Sequence, residues 1–162
     1  MNSIKEWLGI GLVALVGLAY ANTSGSHAVA QDQSTQNEEK VVGKTLTLKN
    51  GDKTLALELV ENAATRRLMD LCADKPISVK MHAYGGFEMV GALPEALPTS
   101  DKETTTAAGD VVLYSGDQLV IFYGQNRWAY TRLGKIANAT AQDIKAFFGR
   151  DQVTLEVSLS QK

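Results

Sequence analysis

The sequence predicts a mainly β protein, folded as a closed β-barrel with two short capping helices. Three observations lead to this prediction. Apolar and polar residues alternate with the period of a strand in several short segments between Thr45 and Leu159. Turn-forming residues, such as the Asn-Gly pair at position 50, separate neighbouring segments. Only two segments have the spacing and capping residues of helices, and they fall near opposite ends of the predicted sheet.

The first elements are a hairpin and a helix. Residues 45–49 and 54–59 alternate on either side of the Asn-Gly turn, which predicts two strands with one buried face. Asn62 is a suitable N-cap for a helix that extends through Cys72. Apolar residues recur in this helix at helical spacing, so that one side covers the sheet: Ala64, Leu68, Leu71 and Cys72.

A strand and a long connection follow the first helix. Pro76 ends the helix, and residues 77–82 alternate as a third strand. The segment from Tyr84 to Ala108 carries a Gly-Gly pair, two prolines and a Thr-rich run, which predicts a loop-rich connection. A loop of this length is usually functional or packed against the domain.

The second half of the domain begins with another hairpin, at residues 110–114 and 118–123. Residues 119–122 are continuously apolar, which indicates a central strand buried on both faces. A short helix is predicted between Thr140 as its cap and Gly149 at its end. Two further strands bring the count to roughly seven: residues 129–136, with a glycine bulge or bend, and residues 152–159, with Val153, Leu155, Val157 and Leu159 inward.

Five segments, in the same order, resemble the bacterial cyclophilin-like family: YGGFE at 84–88, GALPEALP at 91–98, GDVVLY at 109–114, LVIFYG at 119–124 and YTRLGKI at 130–136. The resemblance extends from about Lys44 to the last strand. It implies a cyclophilin-type barrel, an eight-stranded closed sheet with a helix at each end. Many members of this family have no assigned activity.

The resemblance also raises the question of catalysis. True cyclophilins are peptidyl-prolyl isomerases, in which an arginine supports the twisted imide nitrogen beside an apolar pocket for the proline ring. Their Phe-x-x-Met-x-Gln pattern is not matched, and Phe87-Glu88-Met89 is its nearest local counterpart. The segment 118–121 resembles a cyclophilin strand but has aliphatic residues where the pocket aromatic belongs.

We therefore expect a binding module of undetermined activity that holds a peptide segment or a small molecule. The alternative is a peptidyl-prolyl isomerase of the cell envelope, with its arginine supplied from an unconventional position. A third hypothesis is an enzyme that acts on a small metabolite in the barrel mouth. An arginine and an apolar pocket in one concave site would favour the isomerase, and a pocket without the cation would favour binding.

The first candidate ligand-binding residues are Tyr84, Phe87 and Glu88. They lie on a glycine-hinged loop, where an aromatic side chain is displayed more often than in a strand interior. The alternative interpretation is structural. In that case Phe87 packs on the barrel rim and Glu88 is solvated.

A second group of candidates surrounds the turn at residues 124–127. Tyr123, Trp128 and Tyr130 supply rings there, and Arg127 and Arg132 supply cations, a combination typical of a peptide- or carboxylate-binding surface. Ordinary packing at a barrel edge is the alternative.

Other side chains give weaker signals. Arg66 and Arg132 are candidates for the isomerase donor, although a surface arginine is the ordinary alternative. His82 is a possible acid or base but has no paired carboxylate at a recognisable spacing. Metal-ligand spacing, a phosphate-binding glycine loop and a Gly-x-Ser-x-Gly motif are all missing from the sequence, so we predict no metal and no cofactor.

The residues before the predicted domain, which spans 43–162, have the composition of an export signal. One early lysine precedes an apolar stretch at 8–19, and small residues follow at Ala21 and Ala30. We predict a signal peptide at 1–30, cleaved near one of these two alanines. An uncleaved anchor is the alternative, but the stretch is shorter than the roughly 20 residues of a membrane-spanning helix.

The mature chain is then expected to be exported, either periplasmic or secreted, without a stable membrane span. Residues 31–42 are polar and lack aromatic side chains, which predicts a disordered tether. Sixteen basic and 18 acidic residues give a formal net charge of −2 and no basic block, so we expect no nucleic-acid partner. Cys72 is the only cysteine, and we expect it in the core. The oligomeric state is left open.

Overall fold

The computed structural model describes residues 41–161, so the predicted signal peptide and the tether up to residue 40 lie outside the described residues. In the described part of the chain, strands and helices follow one another in this order: β1 (Val41–Asn50), β2 (Lys53–Val60), α1 (Ala63–Leu71), β3 (Ile77–Tyr84), β4 (Glu88–Ala92), β5 (Lys102–Thr105), β6 (Asp110–Tyr114), β7 (Gln118–Phe122), β8 (Arg127–Ile136), α2 (Ala141–Phe148) and β9 (Gln152–Leu159).

Eight of these strands form a closed antiparallel barrel. Their order around the barrel is β2, β1, β9, β3, β4, β7, β6 and β8, and pairing of β2 with β8 closes the ring. β5 is an extra strand that pairs only with the first half of β8, where Thr104 lies opposite Trp128. The predicted fold class, a closed barrel of about eight strands with two helices, is confirmed.

The barrel interior is filled by side chains from every wall and from both helices. Asn62 caps α1 as predicted, since its Oδ1 accepts a hydrogen bond from Thr65 N at 2.9 Å. Thr140 caps α2 in the same way, and Gly149 ends it in a left-handed conformation with φ of 64°. Cys72 is buried in this core, as expected, and burial raises the pKa of its thiol. Neither helix of residues 41–161 has the length and hydropathy of a membrane-spanning segment.

The connection predicted to be loop-rich between Tyr84 and Ala108 contains two strands, so this prediction was wrong in part. β4 is buried on both faces and shows no alternation from which a strand could be recognised. β5 has the polar sequence KETT and becomes a strand only through its pairing with β8. In β9 the inward placement of Leu159 was also wrong, because this residue lies at the strand end and is exposed.

The barrel closes where β2 and β8 approach each other at Gly134. Leu59 is the cross-strand partner of this glycine, and a Cβ atom added at Gly134 would lie 2.0 Å from the carbonyl oxygen of Glu58. A side chain of any kind would therefore push the two strands apart. The glycine that the sequence marked as a bulge or bend is required for closure, and β6 pairs with a register shift at the same level.

We predict that Gly134→Ala destabilises the barrel by about 3 kcal/mol or more, because the β2–β8 hydrogen bonds must lengthen to admit a methyl group. Gly86→Ala is the matched control. Gly86 has φ of 77° but open space around its Cβ position, so it should lose only about 1 kcal/mol. The free energy of unfolding from urea titration checks both values. Equal losses in the two variants would contradict the role of Gly134.

Candidate functional site

A second, smaller apolar cluster lies on the outside of the barrel wall formed by β4, β7 and β6. Side chains alternate along β7, so Leu119 and Ile121 enter the barrel core while Val120 and Phe122 point outward. The outward side chains are nevertheless buried. They are covered by a ring from the first half of β8, Tyr130, and by the half-buried Phe87.

A cavity of about 460 Å³ opens above this cluster, and we call it the aromatic pocket. Five strands and the turn before β8 contribute to it. β3 and β4 supply one wall, β6 and β7 the floor, and the start of β8 the opposite wall. The residues that line it are His82, Tyr84, Glu88, Val90, Tyr114, Gln118, Val120, Asn126, Trp128 and Tyr130.

The wall of the pocket on the β8 side is fixed by Tyr130. Its ring meets Phe122 edge-on at 5.6 Å and Tyr114 at 6.1 Å between centroids. Asn126 Nδ2 donates a hydrogen bond of 2.8 Å to the Tyr130 hydroxyl. Asn126 is itself held by the buried Thr106, whose hydroxyl accepts from Asn126 N at 3.0 Å. The residue before β8 thus positions the ring that forms the wall.

Glu88 is the unusual member of the pocket. It begins β4, with Tyr84 on β3 and Phe122 on β7 as its two cross-strand partners, and only 7% of its surface is exposed. Its Oε2 atom is out of contact with solvent and has no hydrogen-bond partner among residues 41–161. Because burial disfavours the charged form, the pKa of the Glu88 carboxyl is raised to about 7.

The turn between β3 and β4 determines where Glu88 lies. Gly85 and Gly86 both have positive φ, and Phe87 folds back from them to stack on Phe122 at 6.5 Å. The Phe87 carbonyl accepts hydrogen bonds from Tyr123 N and Gly124 N, each 2.9 Å long. This turn is packed on the barrel, so the carboxyl that follows it has a fixed position.

A sequence model of the cyclophilin-like family matches residues 48–159, which is more than half of the chain. The chain belongs to the cyclophilin-like family. The solution structure of the hypothetical protein AF2241 from Archaeoglobus fulgidus has a similar fold, with a TM-score of 0.56 and 18% sequence identity over 76% of this chain and 99% of that chain. At this identity the likeness concerns the fold alone. No curated protein matches.

Four of the residues predicted for ligand binding line the aromatic pocket of this cyclophilin-like domain: Tyr84, Glu88, Trp128 and Tyr130. Phe87 packs behind the pocket on Phe122, whereas the alternative of a solvated Glu88 is wrong. Tyr123 lies elsewhere, half-buried against the barrel core, with the Lys145 Nζ atom 5.2 Å from its ring.

The pocket is on the outer face of the barrel and not in a barrel mouth, because α1 and α2 pack their buried faces into the core.

The three candidate arginines are engaged in ion pairs outside the pocket. Arg66 on α1 pairs with Glu61 at 3.8 Å, Arg127 pairs with Glu103, and Arg132 lies 3.6 Å from Asp110. None of the described side chains that line the pocket is Lys or Arg. An arginine and an apolar pocket therefore do not share one concave site in the described part of this cyclophilin-like domain.

Sequence reasoning did not select Tyr114, Gln118 or Asn126, and it considered His82 only as an isolated histidine. Tyr114 and Gln118 pair across the β6–β7 hairpin, and their alternation with core residues could have placed them on its outer face. No sequence pattern indicates a role for Asn126, because its hydrogen bond to the Tyr130 hydroxyl depends on where β8 begins. No three His, Cys, Asp or Glu side chains among residues 41–161 are placed to hold a metal ion.

A wider groove of about 880 Å³ lies across β3, β9 and the end of α2, and it shares His82 with the aromatic pocket. Its lining is polar and includes Lys53, Lys80 and Arg150. Neither of the buried side chains that lack a hydrogen-bond partner in residues 43–161 belongs to this groove. The aromatic pocket is therefore the better candidate site.

The raised pKa of Glu88 predicts that the domain loses stability as the pH rises from about 4.5 to about 7. In this interval the unfolded chain has released the proton while the folded chain keeps it, so folding is favoured on the acid side. We expect the loss to be on the order of 2 kcal/mol. Glu88→Gln should remove it and should be more stable than the wild type above pH 7.

Urea titrations at several pH values measure this effect, and Glu58→Gln is the matched control. Glu58 lies on β2 and is exposed, so its amide variant should keep the pH dependence of the wild type. A Glu88→Gln variant with the same pH dependence as the wild type would show that Glu88 ionises normally in the folded domain.

Proposed function

We propose that this cyclophilin-like domain is a binding module that holds a peptide segment or a small ligand in the aromatic pocket. One observation carries the proposal. Three of the four large hydrophobic side chains exposed in residues 43–161 line this single cavity: Tyr84, Tyr114 and Trp128. Clustered exposed rings of this kind are costly on a protein surface and typically mark a binding site.

The construction of the pocket supports this function. Trp128 and Tyr84 are 59% and 62% exposed and stand on opposite walls, on β8 and β3. Asn126 and Gln118 add amide groups at the edge, which can bond to the backbone of an extended peptide. The floor is pre-formed, because Val120 and Phe122 are buried and Tyr130 is hydrogen-bonded in place.

Binding without turnover fits the chemistry better than isomerisation does. The barrier to rotation about an X-Pro bond is about 20 kcal/mol and falls when a donor weakens the amide resonance. Arg66 and Arg127 are far from such a role because each is paired with a glutamate outside the pocket. Arg132 is directed to Asp110. We therefore propose that a proline peptide would be bound and not isomerised.

We also propose that the domain works outside the cytoplasm, in the periplasm or as a secreted protein. The support is the apolar stretch at 8–19 followed by Ala21 and Ala30. We predict that the chain recovered from the envelope or the medium begins at Asn22 or Gln31. Amino-terminal sequencing tests this, and an intact residue 1 in all fractions would contradict cleavage.

The binding function predicts that an acetylated Ala-Ala-Pro-Phe amide shifts the NMR signals of pocket residues in the full-length chain, and that Trp128→Ala weakens the affinity roughly tenfold. Trp128 is exposed, so this variant should fold normally. Leu159→Ala removes another exposed apolar side chain, at the end of β9 and outside the pocket, and should leave the affinity unchanged.

The same samples separate binding from isomerisation. Exchange cross-peaks between the cis and trans forms of the peptide should be absent. Their appearance, and their loss in Arg132→Ala, would replace the binding proposal by the isomerase alternative. Equal affinities in Trp128→Ala and Leu159→Ala would show that the aromatic pocket is not the site.

A further inference from the structure

The Glu88 carboxyl is a buried acid with no hydrogen-bond or ion-pair partner in the part of the chain that the structure describes. Its neighbours across the sheet are Tyr84 and Phe122, and its Oε2 makes no hydrogen bond. None of the described lysines or arginines forms an ion pair with it or lines the pocket. Such a group is costly to keep unless something outside the chain satisfies it, because buried charges are normally paired.

Asp110 is the other buried carboxyl among the described residues, and unlike Glu88 it has cationic partners. This residue begins β6, two positions before Val112 of the outer apolar cluster, and it too is almost fully buried. Its Oδ1 accepts no hydrogen bond from residues 41–161, but Lys135 Nζ lies 3.3 Å away and Arg132 lies 3.6 Å away, so it has two ion-pair partners. Its Oδ2 accepts a hydrogen bond from Ala107 N at 2.8 Å. The structure supplies cations to Asp110 and leaves Glu88, which faces a cavity, without one.

The surroundings of Glu88 discriminate among ligand charges. An anion is disfavoured by the carboxylate, and the rings of Tyr84, Trp128 and Tyr130 carry no formal positive charge to hold it. A cation gains from both, since the carboxylate offers an ion pair and the ring faces attract positive charge. The flanking amides, Asn126 and Gln118, are neutral and do not oppose this preference.

We propose that the aromatic pocket binds a primary ammonium group at the end of an alkyl chain, with Glu88 as its ion-pair partner and the aromatic rings as its walls. This inference rests on the proposed function, because it names the ligand class of the same pocket. A free amine and a lysine side chain of a peptide share this chemistry. Val90 and Val120 provide the apolar surface that an alkyl chain would contact.

The ionisation of the pocket agrees with the proposal. Burial raises the pKa of Glu88 to about 7, so an approaching ammonium group finds a carboxyl that can release its proton near neutral pH. Burial, together with the nearby Glu88, also raises the pKa of Tyr130, which keeps the hydroxyl of this pocket residue neutral. The other titratable side chains that face the cavity are His82 and Tyr84 on β3 and Tyr114 on β6.

The test measures the binding of three probes to the full-length chain by two-dimensional NMR at pH 8. Nα-acetyl-lysine N-methylamide carries the ammonium group of a peptide side chain, and n-hexylamine carries it on a free amine. Nα-acetyl-norleucine N-methylamide matches the lysine probe without the ammonium group. We expect the lysine probe to bind at least roughly tenfold more tightly than the norleucine probe.

Glu88→Gln keeps the shape of the side chain and removes its charge. In this variant the preference for the lysine probe should fall to the small part that the aromatic rings alone supply, and unchanged binding of the norleucine probe shows that the pocket is intact. Glu58→Gln, an exposed glutamate changed in the same way, should keep the full preference for the lysine probe. A Glu88→Gln variant that keeps this preference overturns the inference.

The pH dependence gives an independent readout. Ionisation of Glu88 between pH 6 and pH 8 should raise the affinity for the lysine probe roughly tenfold. His82→Gln removes the only histidine among the described residues that line the pocket and should keep the increase, whereas Glu88→Gln should abolish it. If the increase in affinity is lost in His82→Gln and kept in Glu88→Gln, it arises from His82, and the inference is overturned.

The outcomes separate the inference from the proposed function. Tight binding of both amines supports the inference and indicates a free amine, and tight binding of the lysine probe alone supports it and indicates a peptide. Equal binding of the lysine and norleucine probes overturns the inference and leaves the binding module standing. If neither amine binds while the proline peptide does, the inference alone fails. If no probe and no peptide binds, the proposed function fails as well.

Discussion

Burial of β7 on both of its faces is the constraint on which the rest of this domain depends. One face completes the barrel core through Leu119 and Ile121, and the other carries Val120 and Phe122 on the outside of the barrel. An outward Phe must be covered, because the transfer of such a side chain out of water contributes about 2 kcal/mol to stability. The start of β8, extended by β5, and the turn before β4 provide that cover.

The covering is incomplete, and the gap is the aromatic pocket. Tyr130 and Phe87 reach Phe122 from two sides, but a cavity of about 460 Å³ stays open between the walls. Glu88 shares the outer face with Phe122 as its cross-strand neighbour and is therefore buried together with it. Fold and candidate site are linked at this point, since the packing that protects Phe122 also removes Glu88 from water.

Much of the barrel could be predicted because its signals are local. Asn62 and Thr140 each cap a helix through contacts within one turn, and the alternation around the Asn-Gly turn is sufficient to identify the first hairpin. β5 could not be found in this way. Its sequence KETT has no apolar face, and its conformation comes from pairing with residues more than twenty positions later.

The site was predictable only in part for a related reason. Tyr84 and Trp128 could be selected because an aromatic residue beside a glycine turn is conspicuous. The burial of Glu88 could not, since a glutamate after two glycines is usually solvated. It is determined by the register of β4 against β3 and β7, which places the residue opposite Tyr84 and Phe122. No periodicity within a single segment contains that information.

The most direct test of this account is the titration of the Glu88 side chain itself. In the full-length chain labelled with ¹³C at glutamate carboxyl carbons, the signal that disappears in Glu88→Gln reports the ionisation of this residue. We expect a midpoint near pH 7, because the Glu88 carboxyl is almost fully buried and its Oε2 accepts no hydrogen bond from residues 41–161. A midpoint near the ordinary value of 4.5 would contradict it, because Glu88 would then be solvated or paired in the folded domain.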